Sequence, residues 1–261
     1  MAAALWEPLA DWALAEQRRR GRMLVLGLCG PQGSGKSTAA EAMRVRSEAC
    51  GARTAVLSLD DLYLGRAERA RLANSVHPLL TTRGPPGTHN VALGERVLEA
   101  LAAPGETALP RFDKAADDGG APTRFVGPAD VVIFEGWCVG ARPQSDADLS
   151  APVNDLEAEA DPNGVWRRFV NSALGGSYQR LFARIDRLVL LRPPAFEVVV
   201  GWRREQERAL GPRALMTPDQ ITRFVQHYER LSRWIDRDMP GRADVVVELD
   251  AARRVRSVVG L

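Results

Sequence analysis

The stretch "MLVLGLCGPQGSGKST", residues 23–38, runs from seven mostly apolar residues into a glycine-rich loop ending in a lysine and two hydroxyls. The apolar run has the length of a buried strand, and residues 36–50 read as a helix stopped at Gly51. Between them lies Gly30-x4-Gly35-Lys36-Ser37, the full phosphate-binding loop pattern in the strand-to-helix setting it requires. Gly30, Gly33 and Gly35 leave a bare backbone whose N–H groups can turn inward around phosphate oxygens. The helix N-terminus adds its positive end. Pro31, Gln32, Ser34 and Thr38 complete the expected cradle. Lys36 should reach the outer phosphates and Ser37 should ligate Mg2+, so a nucleoside triphosphate is the expected ligand.

Outward from this loop, apolar runs alternate with helical patterns. Strands are expected at 54–59 ("TAVLSL"), 130–136 ("DVVIFEG"), 186–192 ("DRLVLLR") and 243–250 ("ADVVVELD"), with "RVRSVVG" pairing as a last one. Helices are expected at 3–19, 91–102, 165–184 with a break at Gly175 and Gly176, and 195–209. One more starts at Thr217, with Pro218 at its first position and Gln220 closing a capping box. This alternation predicts an α/β fold, a doubly wound and mostly parallel sheet flanked by helices. Residues 1–22 read as an amphipathic helix on the core. Residues 23–261 read as one nucleotide-binding domain interrupted by long loops at about 75–90 and 140–164.

The totals set bounds. The 261 residues are 45% hydrophobic and 26% charged, a globular composition. A net charge of +2 is too small to imply a nucleic-acid partner, and no apolar stretch reaches the length of a membrane span. Cys29, Cys50 and Cys138 are few, odd in number and widely spaced, so a reducing cytosol is expected rather than a disulfide framework. Lys36 and Lys114 are the only lysines; the excess of arginine reads as a compositional bias.

Three classes of nucleotide-using protein compete. A GTPase needs Asn-Lys-x-Asp, which does not occur. An ATPase module acting on a partner protein could use Glu135, at the end of "VVIF", as its acidic residue. A small-molecule kinase needs a carboxylate near the γ-phosphate to accept a hydroxyl proton. "SLDDLY", 58–63, offers one at the carboxyl edge of the second strand, where the phosphate loop also opens. Asp60 and Asp61 cannot both point there, since strand neighbours face opposite ways.

"SLDDLY" and "VVIFEGW" resemble the corresponding turns of the phosphoribulokinase and uridine kinase branch of P-loop kinases, and that resemblance selects Asp60 as the base. The match narrows with "HPLLTTRGPPGTHN", "LPRFDKAADD", "VVIFEGWCVGARPQ", "VVVGWRREQE" and "MTPDQITRFVQHYERLSRWI", which look like the glycerate kinase family of plants, fungi and bacteria over roughly residues 24–250. The family commonly carries Asp after "PGTH", where this chain has Asn90. The resemblance implies transfer of the ATP γ-phosphate to a glycerate hydroxyl, giving 3-phosphoglycerate, with Mg2+ held by Ser37 and Glu135. Other acceptors within the same fold are a nucleoside, pantothenate or a sugar acid.

A site for a small hydroxy acid should offer cationic groups for its carboxylate. His77, Arg83 and His89 cluster in one loop and Arg111, Asp113 and Lys114 in another, and these, with Asp60 and Tyr63, are the expected substrate contacts. In this kinase branch the region of "GWRREQE" closes as a lid, which implies that Arg203 or Arg204 neutralises charge on the transferred group. Trp137 is expected to pack near the pocket, and Cys138 to be a buried, inert thiol.

Overall fold

The computed structural model describes residues 3–209, 211 and 216–261. Residues 1 and 2 of the N-terminal segment, and 210 and 212–215 between the expected helices at 195–209 and from Thr217, lie outside the described residues. In chain order the elements are α1 (Ala3–Arg20), β1 (Leu24–Cys29), α2 (Lys36–Ala49), β2 (Thr54–Ser58), α3 (Arg66–Ser75), α4 (Val91–Leu101), β3 (Gly105–Leu109), β4 (Phe112–Asp113), β5 (Asp118–Gly119), β6 (Thr123–Gly127) and β7 (Val131–Gly136). There follow α5 (Asp155–Ala160), α6 (Val165–Ala173), α7 (Gln179–Phe182), β8 (Arg187–Arg192), α8 (Val198–Ala209), α9 (Pro218–Asp238), β9 (Val245–Leu249) and β10 (Val255–Val259). Among these described residues no helix is long and apolar enough to cross a membrane.

Six strands form the central sheet in the order β10-β9-β8-β1-β7-β2, parallel except for the antiparallel β10. The side-chain period of two divides each apolar run between two cores. Leu24, Leu26 and Leu28 of β1 pack with Val131 and Ile133 of β7 against Trp6, Leu9 and Ala13 of α1 and Met43 of α2. Val25 and Cys29 join Val132 and Phe134 on the opposite face, under α4, α7 and α9. Sequence runs without polar alternation thus became strands covered on both sides. Gly176 leaves helical backbone geometry in the π turn Leu174–Tyr178 between α6 and α7, where the Gly175–Gly176 break was expected.

The 140–164 segment is ordered by two buried arginines. Arg230 of α9 makes an ion pair with Glu157 at 2.6 Å and also donates to the Asp148 and Ala151 carbonyls. Arg167 pairs with Asp161 at 3.1 Å and donates to the Leu149 carbonyl. Each guanidinium satisfies backbone acceptors that a long loop would otherwise bury without partners. Glu157 is fully buried. Glu157→Ala should therefore cost about 3–5 kcal/mol by stranding the Arg230 charge. The exposed Arg233–Glu197 pair, cut by Glu197→Ala, should cost less than about 1 kcal/mol. Urea-denaturation midpoints of the two variants check the contrast.

Candidate active site

The phosphate loop is built as the sequence requires. Gly35 caps α2 with φ +90°, and Gly33 has φ +75° with its α-carbon so close to α8 that a Cβ would lie 2.6 Å from Cβ of Trp202. Lys36 Nζ turns back onto the Pro31 carbonyl at 3.0 Å. Ser37 Oγ donates to Glu135 Oε1 at 3.0 Å. Ser34 Oγ is buried with no protein partner, the mark of a cradle shaped for ligand oxygens.

Asp60 and Asp61 lie in a 3-10 turn, Leu59–Leu62, rather than on the strand itself. Ser58 caps this turn by accepting from the Asp60 N–H, so the cap is the serine and not either aspartate. The turn splays the two carboxylates apart. Asp61 accepts from the Phe112 N–H at 3.0 Å and from Arg111 at 2.9 Å, anchoring the start of β4. Asp60 faces the phosphate loop's side of a cavity of about 140 Å3, which Gln32, Gly33, Lys36, Ser37 and Glu135 also line. Its Oδ1 accepts from the Tyr63 hydroxyl at 2.6 Å and its Oδ2 from Lys114 Nζ at 2.7 Å. Burial pushes the Asp60 carboxyl up, but the Lys114 ammonium, the Tyr63 hydroxyl and Lys36 together outweigh it and hold the group below its ordinary value. Asp60 is a carboxylate at neutral pH.

Arg83 and Lys114 bring two cations to the wall of the same cavity, and Arg203 of α8 brings a third. Arg203 lies over the Phe224 ring and pairs with Glu207 at 2.9 Å. Arg204 instead bonds Thr222 Oγ1 on α9 and does not line the cavity. Three more of the expected contacts are occupied elsewhere. Arg111 is held by Asp61, and Asp113 accepts from the Ala115 and Ala116 N–H groups of its own turn. His77 caps the short turn Pro78–Thr81.

His89 is buried one layer behind the cavity, its ring 4.8 Å from that of Tyr63. The Tyr178 hydroxyl accepts from the Gly87 N–H and meets His89 Nδ1 at 2.5 Å. His89 Nε2 is buried without a protein partner. Asn90 caps α4 through its side-chain oxygen, a task Asn and Asp perform equally well, so the departure at this position costs the fold nothing.

Tyr228 and Phe224 of α9 and Gln206 of α8 also line the cavity; sequence reasoning missed the first two because α9 reads as a plain amphipathic helix, and Gln206 because α8 reads as an Arg/Glu-rich surface. The Tyr228 hydroxyl donates to the Arg83 carbonyl at 2.7 Å, and Gly84, at φ +116°, has no room for a Cβ beneath that hydroxyl. Trp137 donates to the Gly84 carbonyl and stacks edge-on against Tyr228. Cys138 is buried, and burial pushes its thiol well up. A larger cleft of about 640 Å3 opens beyond Trp137 between the 140–164 segment and the loop after β8, but Lys36, Ser37, Asp60 and Glu135 all converge in the smaller cavity.

No protein-family model matches the chain. The uncharacterized kinase mug58 of Schizosaccharomyces pombe is 35% identical over 228 residues, 82% of this chain and 81% of that one. A chloroplastic D-glycerate 3-kinase of Arabidopsis thaliana is 31% identical over 221 residues, 78% of this chain and 46% of its own length. The chain belongs to the glycerate kinase family of P-loop kinases. It spans about half the length of the plant family member. The solved structure of a D-glycerate 3-kinase from Cryptococcus neoformans var. grubii is 28% identical and superposes with a TM-score of 0.80 over 98% of both chains. Phosphoribulokinase from Rhodobacter spheroides, 12% identical with a TM-score of 0.51 over 88% of this chain and 71% of its own, shares the fold alone.

Burial, partly offset by the Asp60 charge, lowers the His89 pKa to about 4, so the ring is neutral in the folded protein down to that pH. Unfolded, it binds a proton near its ordinary value of 6.5. Its contribution to stability is complete above that value and is lost as pH falls towards about 4, a loss of about 3 kcal/mol for a shift of this size. A His89→Gln variant should lose less stability than the wild type between about pH 7 and about pH 4 in urea melts.

Proposed function

We propose that this protein transfers the γ-phosphoryl group of ATP to a hydroxyl of D-glycerate, giving 3-phosphoglycerate. The observation that carries the reading is that Lys36, Ser37, Asp60, Arg83, Lys114, Glu135 and Arg203 all line one cavity. The names of the family's plant and fungal members support the choice of acceptor.

The residues divide the work. The loop amides and Lys36 hold the phosphates, and Arg203 neutralises charge on the transferred group. Among the described residues no group of three or more His, Cys, Asp or Glu side chains could hold a metal. Ser37 and Glu135, in contact at 3.0 Å, instead form the hydroxyl-and-carboxylate pair that would hold Mg2+ together with phosphate oxygens. Magnesium bound there would supply charge neutralisation on the β- and γ-oxygens. Arg83 and Lys114 receive the glycerate carboxylate. Asp60, oriented by Tyr63, accepts the proton of the attacking hydroxyl.

The test is ADP release measured against D-glycerate, glycerol, nucleosides and pantothenate, with mass spectrometry of the product. D-Glycerate should be phosphorylated fastest; a faster nucleoside or pantothenate would replace the acceptor, and ADP release only with a macromolecule would replace the kinase reading. Asp60→Asn should lower kcat by about 10²–10⁴-fold while ATP binding, followed by calorimetry, changes little. Arg83→Gln should mainly raise the KM for glycerate.

A further inference from the structure

Asp60 and its neighbouring lysine, Lys114, are in direct contact. Lys114 Nζ sits on Asp60 Oδ2 at 2.7 Å while Tyr63 occupies Oδ1, so both oxygens of the base are engaged. We propose that Lys114 gates the base: it covers Asp60 until an acceptor carboxylate draws it away, so that water, which has no carboxylate, is rejected as an acceptor. This rests on the reading of Asp60 as base and of Lys114 as a carboxylate ligand.

Three features suit Lys114 to this. Its side chain is 61% exposed, whereas that of Asp60 is 32% exposed, so the cation can leave at little cost and the carboxylate stays where it is. The hairpin that carries Lys114 is held on both sides. Asp61 bonds the Phe112 N–H, and Asp117 takes ion pairs from the buried Arg69 and from Arg83. Arg69 is tied in turn to the Leu64 and Thr81 carbonyls. The backbone is therefore fixed, and the gate is one side chain swinging on four methylenes. The third feature is the residue type. Of 35 basic residues only Lys36 and Lys114 are lysines, and both line this cavity. An arginine would grip Asp60 with a planar fork through two bonds; an ammonium is a single mobile charge.

The reaction held back is hydrolysis. Water oxygen would bond to the γ-phosphorus, the bond from that phosphorus to the β–γ bridging oxygen would break, ADP would leave, and the water proton would pass to Asp60 and on to solvent. With Lys114 on Oδ2 the base is both occupied and less basic. A glycerate carboxylate between Arg83 and Lys114 removes the cover at the moment the acceptor hydroxyl arrives.

The experiment measures release of ADP and inorganic phosphate from ATP by the full chain in three conditions: no acceptor, glycerol, and lactate, a three-carbon acid without the terminal hydroxyl. In the wild type lactate should raise hydrolysis severalfold and glycerol should not. Lys114→Met should hydrolyse ATP without acceptor about five-fold faster than wild type, the factor an exposed ion pair can withhold, and lactate should add nothing. Circular dichroism shows whether the variant is folded. A Lys114→Met rate equal to or below wild type overturns the gate, as does lactate that competes with glycerate yet leaves hydrolysis unchanged. Failure of the wild type to phosphorylate D-glycerate would overturn the acceptor reading instead, so the two failures are separable.

Discussion

The chemistry of this protein depends on three parallel strands ending in step. β7 is hydrogen-bonded between β1 and β2 with Glu135 level with Leu28 on one side and Ser58 on the other. The phosphate loop begins two residues beyond Leu28 and the turn bearing Asp60 begins one residue beyond Ser58. Backbone pairing alone thus brings the cradle, the Ser37–Glu135 pair and the base to one rim of the sheet. A slip of one residue in β7 would turn Glu135 to the other face, away from α2, and bury its charge among the side chains under α4 and α9. The two residues before Glu135, Ile133 and Phe134, belong to opposite cores, so the same slip would also exchange a β-branched side chain and an aromatic ring between the two.

The sheet and the phosphate loop were legible in the sequence because each rests on a local pattern: a doubly buried apolar run, a glycine spacing, a capping box. The walls of the site were less so. α3 ("RAERARLANS") has little apolar stripe, and the hairpins β3–β6 and β4–β5 are built from short, mostly exposed segments, so neither period stands out. Asp113 and Asp117 are four residues apart in one turn. One caps its own backbone; the other binds two arginines from distant parts of the chain, Arg69 and Arg83. Nothing in their sequence neighbourhood separates those fates; only the docking of the hairpin does. Tyr228 shows the same limit, since its ring belongs to the apolar stripe of α9 while its hydroxyl holds the Arg83 carbonyl.

The adjacent aspartates carry a related lesson about local geometry. As strand neighbours they would diverge by pointing to opposite faces of the sheet. They diverge instead because the chain tightens into a 3-10 turn as soon as β2 ends, with Ser58 as its cap. Strand alternation admits one of the two aspartates at the cavity without saying which; the turn places Asp60 there and lets Asp61 reach the start of β4.

Charge pairing within the chain holds the basic groups of the cavity in place. Four cations line it against two carboxylates, a surplus suited to a polyphosphate and a carboxylic acid but repulsive on its own. Each cation rests on an acceptor from its own chain: Lys36 on the Pro31 carbonyl, Arg83 on Asp117, Arg203 on Glu207 and Lys114 on Asp60. Glu207 and Asp117 are not among the cavity-lining residues, so they can steady their arginines while leaving faces for a ligand. Lys36 and Lys114 differ, because their resting partners are parts of the reactive site itself. On the function proposed above, the two lysines would change partners when substrates bind, whereas the two arginines would only accept a second one.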